Sequence, residues 1–403
     1  MRINKTARCI ILIFLGNIGV IILPEFRKVF WLFYVLSILL LPYGNLFRLS
    51  FKAKLLLLVL LTFGITVIVR GLLNPNDNTY LTIIGNPAYS MFELLPVFIL
   101  LAESDNILLI LHKILYSVSI ATCCLIVFFN PQDLVETLVY FIAILAPFKF
   151  ARYKMIIILT LMFGYFTFVM NDYRIILLAA MLLLVPLGLN KYFKRLQTLK
   201  RITTVYVTFM FLLPITLMIT GLTTGFSVYQ IGQMLTEDSD KGYEVDTRTF
   251  LWYEVFEDLS NNNAIAWGKG LTGRVTSELT VDSDGSVNDD GRSFVEVRAL
   301  DIIRRGGVVY ATVYYGAIFL AVLNVLFKTK NRFLLVVAIV VTSFYFLNFI
   351  GTQPAVNLYS VLFWILIGLC FSRKWNNYSD DQIKEIIYIK SSLKEHVSFR
   401  TDN

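Results

Sequence analysis

Long apolar runs recur from one end of the chain to the other, separated by polar segments. A helix needs about 20 residues to cross the hydrocarbon core of a bilayer, so each run of about 15–22 residues marks a candidate span. No fixed repeat relates the runs to one another. They predict an all-α, polytopic membrane protein of about 12 transmembrane helices, over residues 9–23, 29–46, 55–72, 88–102, 107–129, 134–148, 155–170, 175–189, 202–221, 307–327, 333–350 and 354–371.

Basic residues between the runs give the orientation, because cytoplasmic loops of membrane proteins are enriched in Lys and Arg. With the N-terminus inside, about two thirds of the 36 Lys and Arg residues fall in cytoplasmic segments. Both termini are therefore expected in the cytoplasm. The start of the chain has the basic and apolar parts of a signal peptide, but Pro24 follows without a small-residue cleavage site, so we predict an uncleaved first span.

One long polar segment, residues 222–298, separates the ninth and tenth spans and is expected on the extracytoplasmic side. It divides the chain into residues 1–221 with spans one to nine, the loop, residues 299–372 with spans ten to twelve, and a cytoplasmic tail, 373–403. In the loop, Asp246 or Thr247 can cap an amphipathic helix. The apolar face of that helix is carried at helical spacing by Phe250, Leu251, Val255 and Leu259.

A glycine-rich turn region, AIAWGKGLTGRV, follows this helix, and a polar tip, VDSDGSVNDDG, comes after it. Asp282 and Asp284 of the tip have the local spacing of a calcium-binding loop. Ser293 stands where such a loop places a bidentate Glu, which favours a flexible solvated loop over a calcium site.

The amino-acid composition excludes several classes of protein. Hydrophobic residues make up 57% of the chain and charged residues 16%, against about 45–50% hydrophobic residues in soluble domains. This excludes a soluble cytosolic protein and a nucleic-acid-binding one. Cys9, Cys123, Cys124 and Cys370 all lie in apolar runs and are expected to be packing residues. With only two His residues, far apart, we predict no metal site, no serine–histidine triad and no cofactor.

Ionisable side chains at the outer ends of spans are functional candidates, because burying them in a membrane is costly. Arg174 follows a short turn between two spans, where it is either an interfacial anchor paired with Asp172 or a clamp for phosphate oxygens. Arg248 precedes Trp252 by one helical turn and either stacks on it or binds phosphate. The ionisable residues at the outer ends of the predicted spans are Arg70, Glu93, Asp172, Arg174, Glu296, Arg298, Asp301, Arg304 and Arg305.

The segment VEVRALDIIRRGGVV, which enters the tenth span, contains its own charge pairs. Asp301 and Arg305 are spaced i,i+4, and Arg298 and Asp301 are spaced i,i+3, so part of this charge is expected to be satisfied locally. Glu296 has Leu300 at i+4 and therefore no such partner. Glu93, inside the fourth predicted span, is expected to hydrogen-bond to a neighbouring helix and is also a candidate for substrate binding.

The whole arrangement resembles bacterial polysaccharide polymerases of the Wzy type and their O-antigen ligase relatives. The resemblance rests on the topology, on Arg174 opening a span after a short outer turn, on the pattern R-x3-W…W-G-K-G from Arg248 to Gly270, and on the acidic position Glu296 eleven residues before Gly307. It implies that Arg174 and Arg248 meet at a lipid pyrophosphate. Glu296 stands where the ligases have His, which favours a polymerase and suggests a hydrogen bond to, or deprotonation of, the acceptor hydroxyl.

The resemblance implies a multi-pass glycosyltransferase of the bacterial cytoplasmic membrane that acts on undecaprenyl-pyrophosphate-linked oligosaccharide, with membrane lipid, a chain-length regulator and a flippase as partners. Loop aromatic residues could stack on sugar rings, although core packing is the simpler use of most of them. Three alternatives stay open: a ligase-like transferase, a flippase or other transporter, and a non-enzymatic membrane subunit. The candidate substrate-binding residues are Arg298, Arg305, Trp252, Trp267 and Glu93.

Overall fold

The computed structural model describes residues 5–22, 27–73, 91–111, 189, 193, 195–224, 247–275, 295, 297–350 and 356–386. The regular elements of these residues are helices, as the apolar runs predicted. There are two 3-10 helices, Tyr43–Arg48 and Phe92–Glu103. The α-helices are α1 Lys5–Ile22, α2 Arg27–Leu39, α3 Phe51–Leu73, α4 Leu196–Thr224, α5 Thr247–Asn261, α6 Arg298–Lys328, α7 Arg332–Ile350, α8 Leu358–Phe371 and α9 Arg373–Asn377.

Within the described part of the chain, four helices are long and apolar enough to cross a membrane: α3, α4 over Leu196–Thr216, α6 and α7. The shorter apolar helix α8 adds to them. An all-α, membrane-embedded protein is therefore confirmed. The predicted spans between residues 112 and 188 lie outside the described residues.

The centre of the bundle is formed by α6, α7, α8 and the 3-10 helix Phe92–Glu103. Every residue of α8 is buried, and so are most residues of α7. In contrast, α3 and α4 leave rows of large apolar side chains exposed, including Leu58, Ile65 and Phe209. Apolar faces of this extent on a membrane-embedded protein are suited to contact with lipid.

The fourth predicted span is a 3-10 helix rather than an α-helix. Pro96 lies inside it and lacks the N–H group that a regular ladder needs. The stretched 3-10 form rises about 2.0 Å per residue, so a short segment covers more of the membrane's depth than an α-helix would. Two glycines allow the close approach of its backbone: a Cβ on Gly64 would lie 2.6 Å from the Glu93 carbonyl oxygen, and one on Gly368 would lie 2.7 Å from that of Ile99.

The beginning of the predicted cytoplasmic tail packs against the bundle. The buried indole of Trp375 donates to the carbonyl oxygen of Ala102 at 2.7 Å. Asn331, between α6 and α7, donates to the carbonyl oxygens of Trp375 at 2.8 Å and Tyr378 at 2.9 Å. These bonds attach α9 to the C-terminal end of the 3-10 helix Phe92–Glu103 and to the connection between α6 and α7.

Candidate functional site

Helix α6 is broken near the start of the tenth predicted span. It begins at Arg298, well before the predicted first residue of that span, and Gly307 interrupts it with φ 71° and ψ −178°. A break of this kind frees backbone groups that water cannot satisfy inside a bilayer. The glycine-rich segment 264–275, which we call the docked turn, pairs with them. The pairs are Lys269 N–H to Arg304 O at 2.7 Å, Gly270 N–H to Arg305 O at 2.9 Å, Val308 N–H to Ile265 O at 2.9 Å and Val309 N–H to Ala266 O at 3.2 Å.

The docked turn also contacts the end of α3. The Leu271 N–H donates to the Val67 carbonyl oxygen at 3.2 Å. The Arg70 guanidinium bridges two carbonyl oxygens of the turn, donating to Gly268 at 2.9 Å and to Trp267. Gly268 itself has φ 66°, a conformation that glycine adopts without strain. The turn region predicted from the glycines is confirmed, and it is wedged between α3 and α6.

Beside the docked turn, the first part of α6 buries several charges. Asp301 binds two arginines of its own helix: its carboxylate oxygens lie 2.7 Å from Arg304 Nη2 and 2.7 Å from Arg305 Nε. The i,i+4 pair predicted from the sequence is confirmed. Arg304 also donates to the Gly273 carbonyl oxygen of the docked turn. All three side chains are fully buried, so the carboxylate neutralises charge that water does not reach.

Glu93 extends this group across to the 3-10 helix. Its side chain is fully buried, lies 3.4 Å from Arg305 Nη1, and accepts a hydrogen bond of 2.5 Å from the Tyr310 hydroxyl. The expected hydrogen bond to a neighbouring helix is confirmed. Arg298 lies nearby, 2% exposed, with its guanidinium 5.6 Å from the ring centres of Phe92 and Tyr359. Rings in that position favour a cation.

We call Glu93, Arg298, Asp301, Arg304 and Arg305 the charge cluster. It contains three cationic and two anionic side chains. All five side chains are buried, and they are held by ion pairs, a backbone hydrogen bond and ring contacts. The cluster therefore holds three buried guanidinium groups close to the docked turn.

Helix α5 packs next to the docked turn and confirms the amphipathic helix predicted in the loop. Leu251, Val255 and Leu259 face inward with 2%, 0% and 0% exposure. Trp252 stacks on Phe349 at the end of α7, with ring centres 6.2 Å apart. A largely buried ion pair of 2.6 Å between Lys269 of the turn and Asp258 of α5 ties the two segments together.

The predicted site residues fall into three groups. Arg174 and Glu296 lie outside the described residues, and Arg248 lies in the first turn of α5 with its side chain outside them. Arg298, Arg305 and Glu93 come together in the charge cluster, where each is buried. Trp252 packs against α7, while Trp267 is 55% exposed on the docked turn.

Two contacts of this region were not predicted from the sequence. Tyr310, the hydrogen-bond partner of Glu93, is an apolar-span tyrosine with no charge or spacing to mark it. Arg70 was a candidate only as a cation at the outer end of a span. Its hydrogen bonds go to two backbone carbonyl oxygens, and such bonds do not depend on which side chains the partner residues carry.

No family model, curated protein or solved structure matches this chain. Among the described residues, no group of three or more His, Cys, Asp or Glu side chains is placed to hold a metal ion. The geometry of the charge cluster and docked turn, together with the sequence motifs, is therefore the basis for assigning a function.

Proposed function

We propose that this protein polymerises undecaprenyl-pyrophosphate-linked oligosaccharide repeat units on the outer face of the bacterial cytoplasmic membrane. One observation carries the proposal: two of the segments on which the family resemblance rests, 248–270 and 296–307, are hydrogen-bonded to each other. The W-G-K-G turn pairs through Lys269 and Gly270 with the carbonyl oxygens of Arg304 and Arg305. Segments far apart in the sequence thus form one unit at one end of the bundle.

The charges of this unit suit a donor that carries a pyrophosphate. In glycosyl transfer from a lipid-linked donor, negative charge builds up on the departing pyrophosphate, and nearby fixed cations stabilise it. The charge cluster holds three guanidinium groups, those of Arg298, Arg304 and Arg305, in place before the reaction. The ion pair of Lys269 with Asp258 attaches α5, the helix that contains Arg248, to the docked turn.

The proposed reaction forms one bond and breaks one. A hydroxyl oxygen of the acceptor sugar attacks the anomeric carbon of the donor chain, and the bond from that carbon to the pyrophosphate oxygen breaks. Glu296 takes the hydroxyl proton, or accepts a hydrogen bond from it, as a general base. Arg174 and Arg248 bind the pyrophosphate that leaves with the lipid. The proposed reaction needs no cofactor or metal.

A flippase for the same lipid-linked units is the second candidate. Discontinuous helices with irregular backbone at membrane depth are typical of transporter sites, and α6 is broken at Gly307. The described contacts favour the transferase, because the docked turn fills the break and pairs its backbone groups instead of leaving a cavity there. A ligase-like transferase would use the same donor with another acceptor.

The test is complementation of a bacterial strain deleted for this gene, with the wild-type gene or with Arg174→Ala, Arg248→Ala or Glu296→Gln. The gel profiles of surface glycan and of lipid-linked glycan are compared at matched protein levels. We expect each variant to lose polymer and to accumulate single repeat units on the outer face. Arg201→Ala is the matched control, since Arg201 is an exposed cation in the first turns of α4, and it should keep the wild-type profile.

Three other results would contradict the proposal. Normal polymer in all three variants would show that Arg174, Arg248 and Glu296 do not form the active site. Repeat units trapped on the cytoplasmic side would identify a flippase. Free polymer of normal length that is not transferred to its final acceptor would identify a ligase.

A further inference from the structure

The docked turn lies within the depth of a membrane-spanning helix. Its Leu271 is hydrogen-bonded to the backbone of Val67, which lies six residues before Leu73, the last residue of α3, or about 9 Å along the helix axis. The ring of Trp267 stacks on that of Phe63, with ring centres 6.4 Å apart. Phe63 is near the middle of α3, so the ring of Trp267 reaches toward the interior of the membrane.

The outward surface of the turn is apolar. Ile265 is 40% exposed and Trp267 is 55% exposed, and Ala266 between them is exposed as well. Val308, paired with Ile265, continues the surface onto α6 with 39% exposure. At the same depth, the opposite side of α3 exposes the apolar residues Ile65 and Val69. The turn thus presents an apolar surface at the depth where α3 is also apolar and exposed.

Most of the turn's central backbone N–H groups are bonded to the protein. Irregular backbone is tolerated at membrane depth only where protein or a water-filled cavity satisfies it. Here the N–H groups of Gly268, Lys269, Gly270 and Leu271 all donate to carbonyl oxygens of the protein. The Lys269 ammonium is paired with Asp258, and Arg70 caps two carbonyl oxygens. The protein itself satisfies these groups.

We propose that the docked turn is a re-entrant membrane loop, and that its face of Ile265, Ala266 and Trp267 contacts the acyl chains of the surrounding bilayer. Asn261, Asn262 and Asn263, all exposed, end α5 just before this face and mark the change from a polar to an apolar environment. The sequence predicted this segment only as a turn region within the polar extracytoplasmic loop, so its placement at membrane depth is new. It does not depend on the proposed function.

Fluorescence quenching tests the lipid contact on the full-length protein in phosphatidylcholine vesicles. The chain has five Trp residues, so the emission of Trp267 is obtained as the difference between the wild type and Trp267→Phe. Phosphatidylcholine with brominated acyl chains should remove most of this difference emission, and iodide in the water should leave most of it. Trp375→Phe is the matched control: Trp375 is 0% exposed, so its difference emission should survive both quenchers.

Two quenching results would overturn the proposal. Stronger quenching of the Trp267 component by iodide than by brominated lipid would place the turn in water. Quenching by neither would mean that another part of the chain covers it.

Labelling of introduced thiols provides a second test that keeps Trp267 in place. A membrane-impermeant maleimide should label Asn262→Cys about tenfold or more faster than Ile265→Cys, because a thiolate does not form readily in hydrocarbon. The native Cys9 and Cys370 are buried, and the unmodified protein gives the background rate. Equal labelling rates at the two introduced positions would contradict the re-entrant loop.

Discussion

Gly307 of α6 lies directly against Ala266 of the docked turn, so that a Cβ atom added to Gly307 would overlap the Ala266 carbonyl oxygen. The φ of 71° and ψ of −178° at Gly307 belong to a region that only glycine occupies readily, and forcing another residue into it costs about 1–3 kcal/mol. We expect Gly307→Ala to lower the stability by at least that amount, because the turn must also move. The measurement is the midpoint of SDS-driven unfolding in mixed micelles.

Gly316→Ala is the matched control for this prediction. Gly316 lies on the same helix, and no atom is within 4 Å of the position its Cβ would take. Alanine is favoured over glycine in a helix by about 0.5–1 kcal/mol, so this variant should unfold at the wild-type midpoint or slightly above it. Equal losses in the two variants would show that the contact with Ala266 is not the cause.

Asp301 is the second position at which a large effect is expected. Its carboxylate faces Arg304 and Arg305 with all three side chains buried. Removing one partner of a buried ion pair leaves uncompensated charge and costs about 3–5 kcal/mol. Asp301→Asn should therefore destabilise the protein strongly, measured by the same unfolding midpoint.

Asp105→Asn makes the same chemical change at an exposed ion pair. The Asp105 side chain is 62% exposed and pairs with Arg48 at 3.6 Å and Lys374 at 2.6 Å. Exposed pairs contribute about 0–1 kcal/mol, so this control should shift the midpoint little. An effect at Asp301 no larger than at Asp105 would contradict burial as the origin of its importance.

The parts of the fold that follow from local pattern were predictable. Apolar runs gave the helices, since a spanning helix must be long and apolar. The spacing of Leu251, Val255 and Leu259 gave α5, and the i,i+4 spacing gave the pair of Asp301 and Arg305. Each of these depends on residues a few positions apart on one helix.

The assembly of the charge cluster and the docked turn was not predictable in the same way. The hydrogen bond from Tyr310 to Glu93 joins residues 217 positions apart. The bonds from Lys269 and Gly270 to α6 join backbone to backbone, so no side chain records them in the sequence. The 3-10 form of Phe92–Glu103 likewise depends on its packing against α8 and α3, not on its own composition alone.

Arg70 is expected to control the local stability of the docked turn. Its guanidinium bridges the carbonyl oxygens of Trp267 and Gly268, and hydrogen bonds from charged groups contribute about 1.5–3 kcal/mol. Arg70→Ala should raise amide hydrogen exchange in residues 264–275, measured by mass spectrometry. Arg70→Lys keeps the charge but lacks the planar fork, so it should restore only part of the protection. Arg48→Ala, at an exposed ion pair, should leave exchange in this segment unchanged.

Trp252 should act as the anchor of α5 on the bundle. Its ring stacks on Phe349 of α7 with an interplanar angle of 5°, and such aromatic pairs contribute about 0.5–1.5 kcal/mol beyond their buried area. Trp252→Ala should therefore raise amide exchange along α5, while Trp252→Phe keeps part of the stack and should raise it less. The neighbouring Tyr253 is 58% exposed, so Tyr253→Ala tests the loss of an aromatic ring that does not face α7. If Tyr253→Ala raised exchange in α5 as much as Trp252→Ala, the stack on Phe349 would not be what holds the helix.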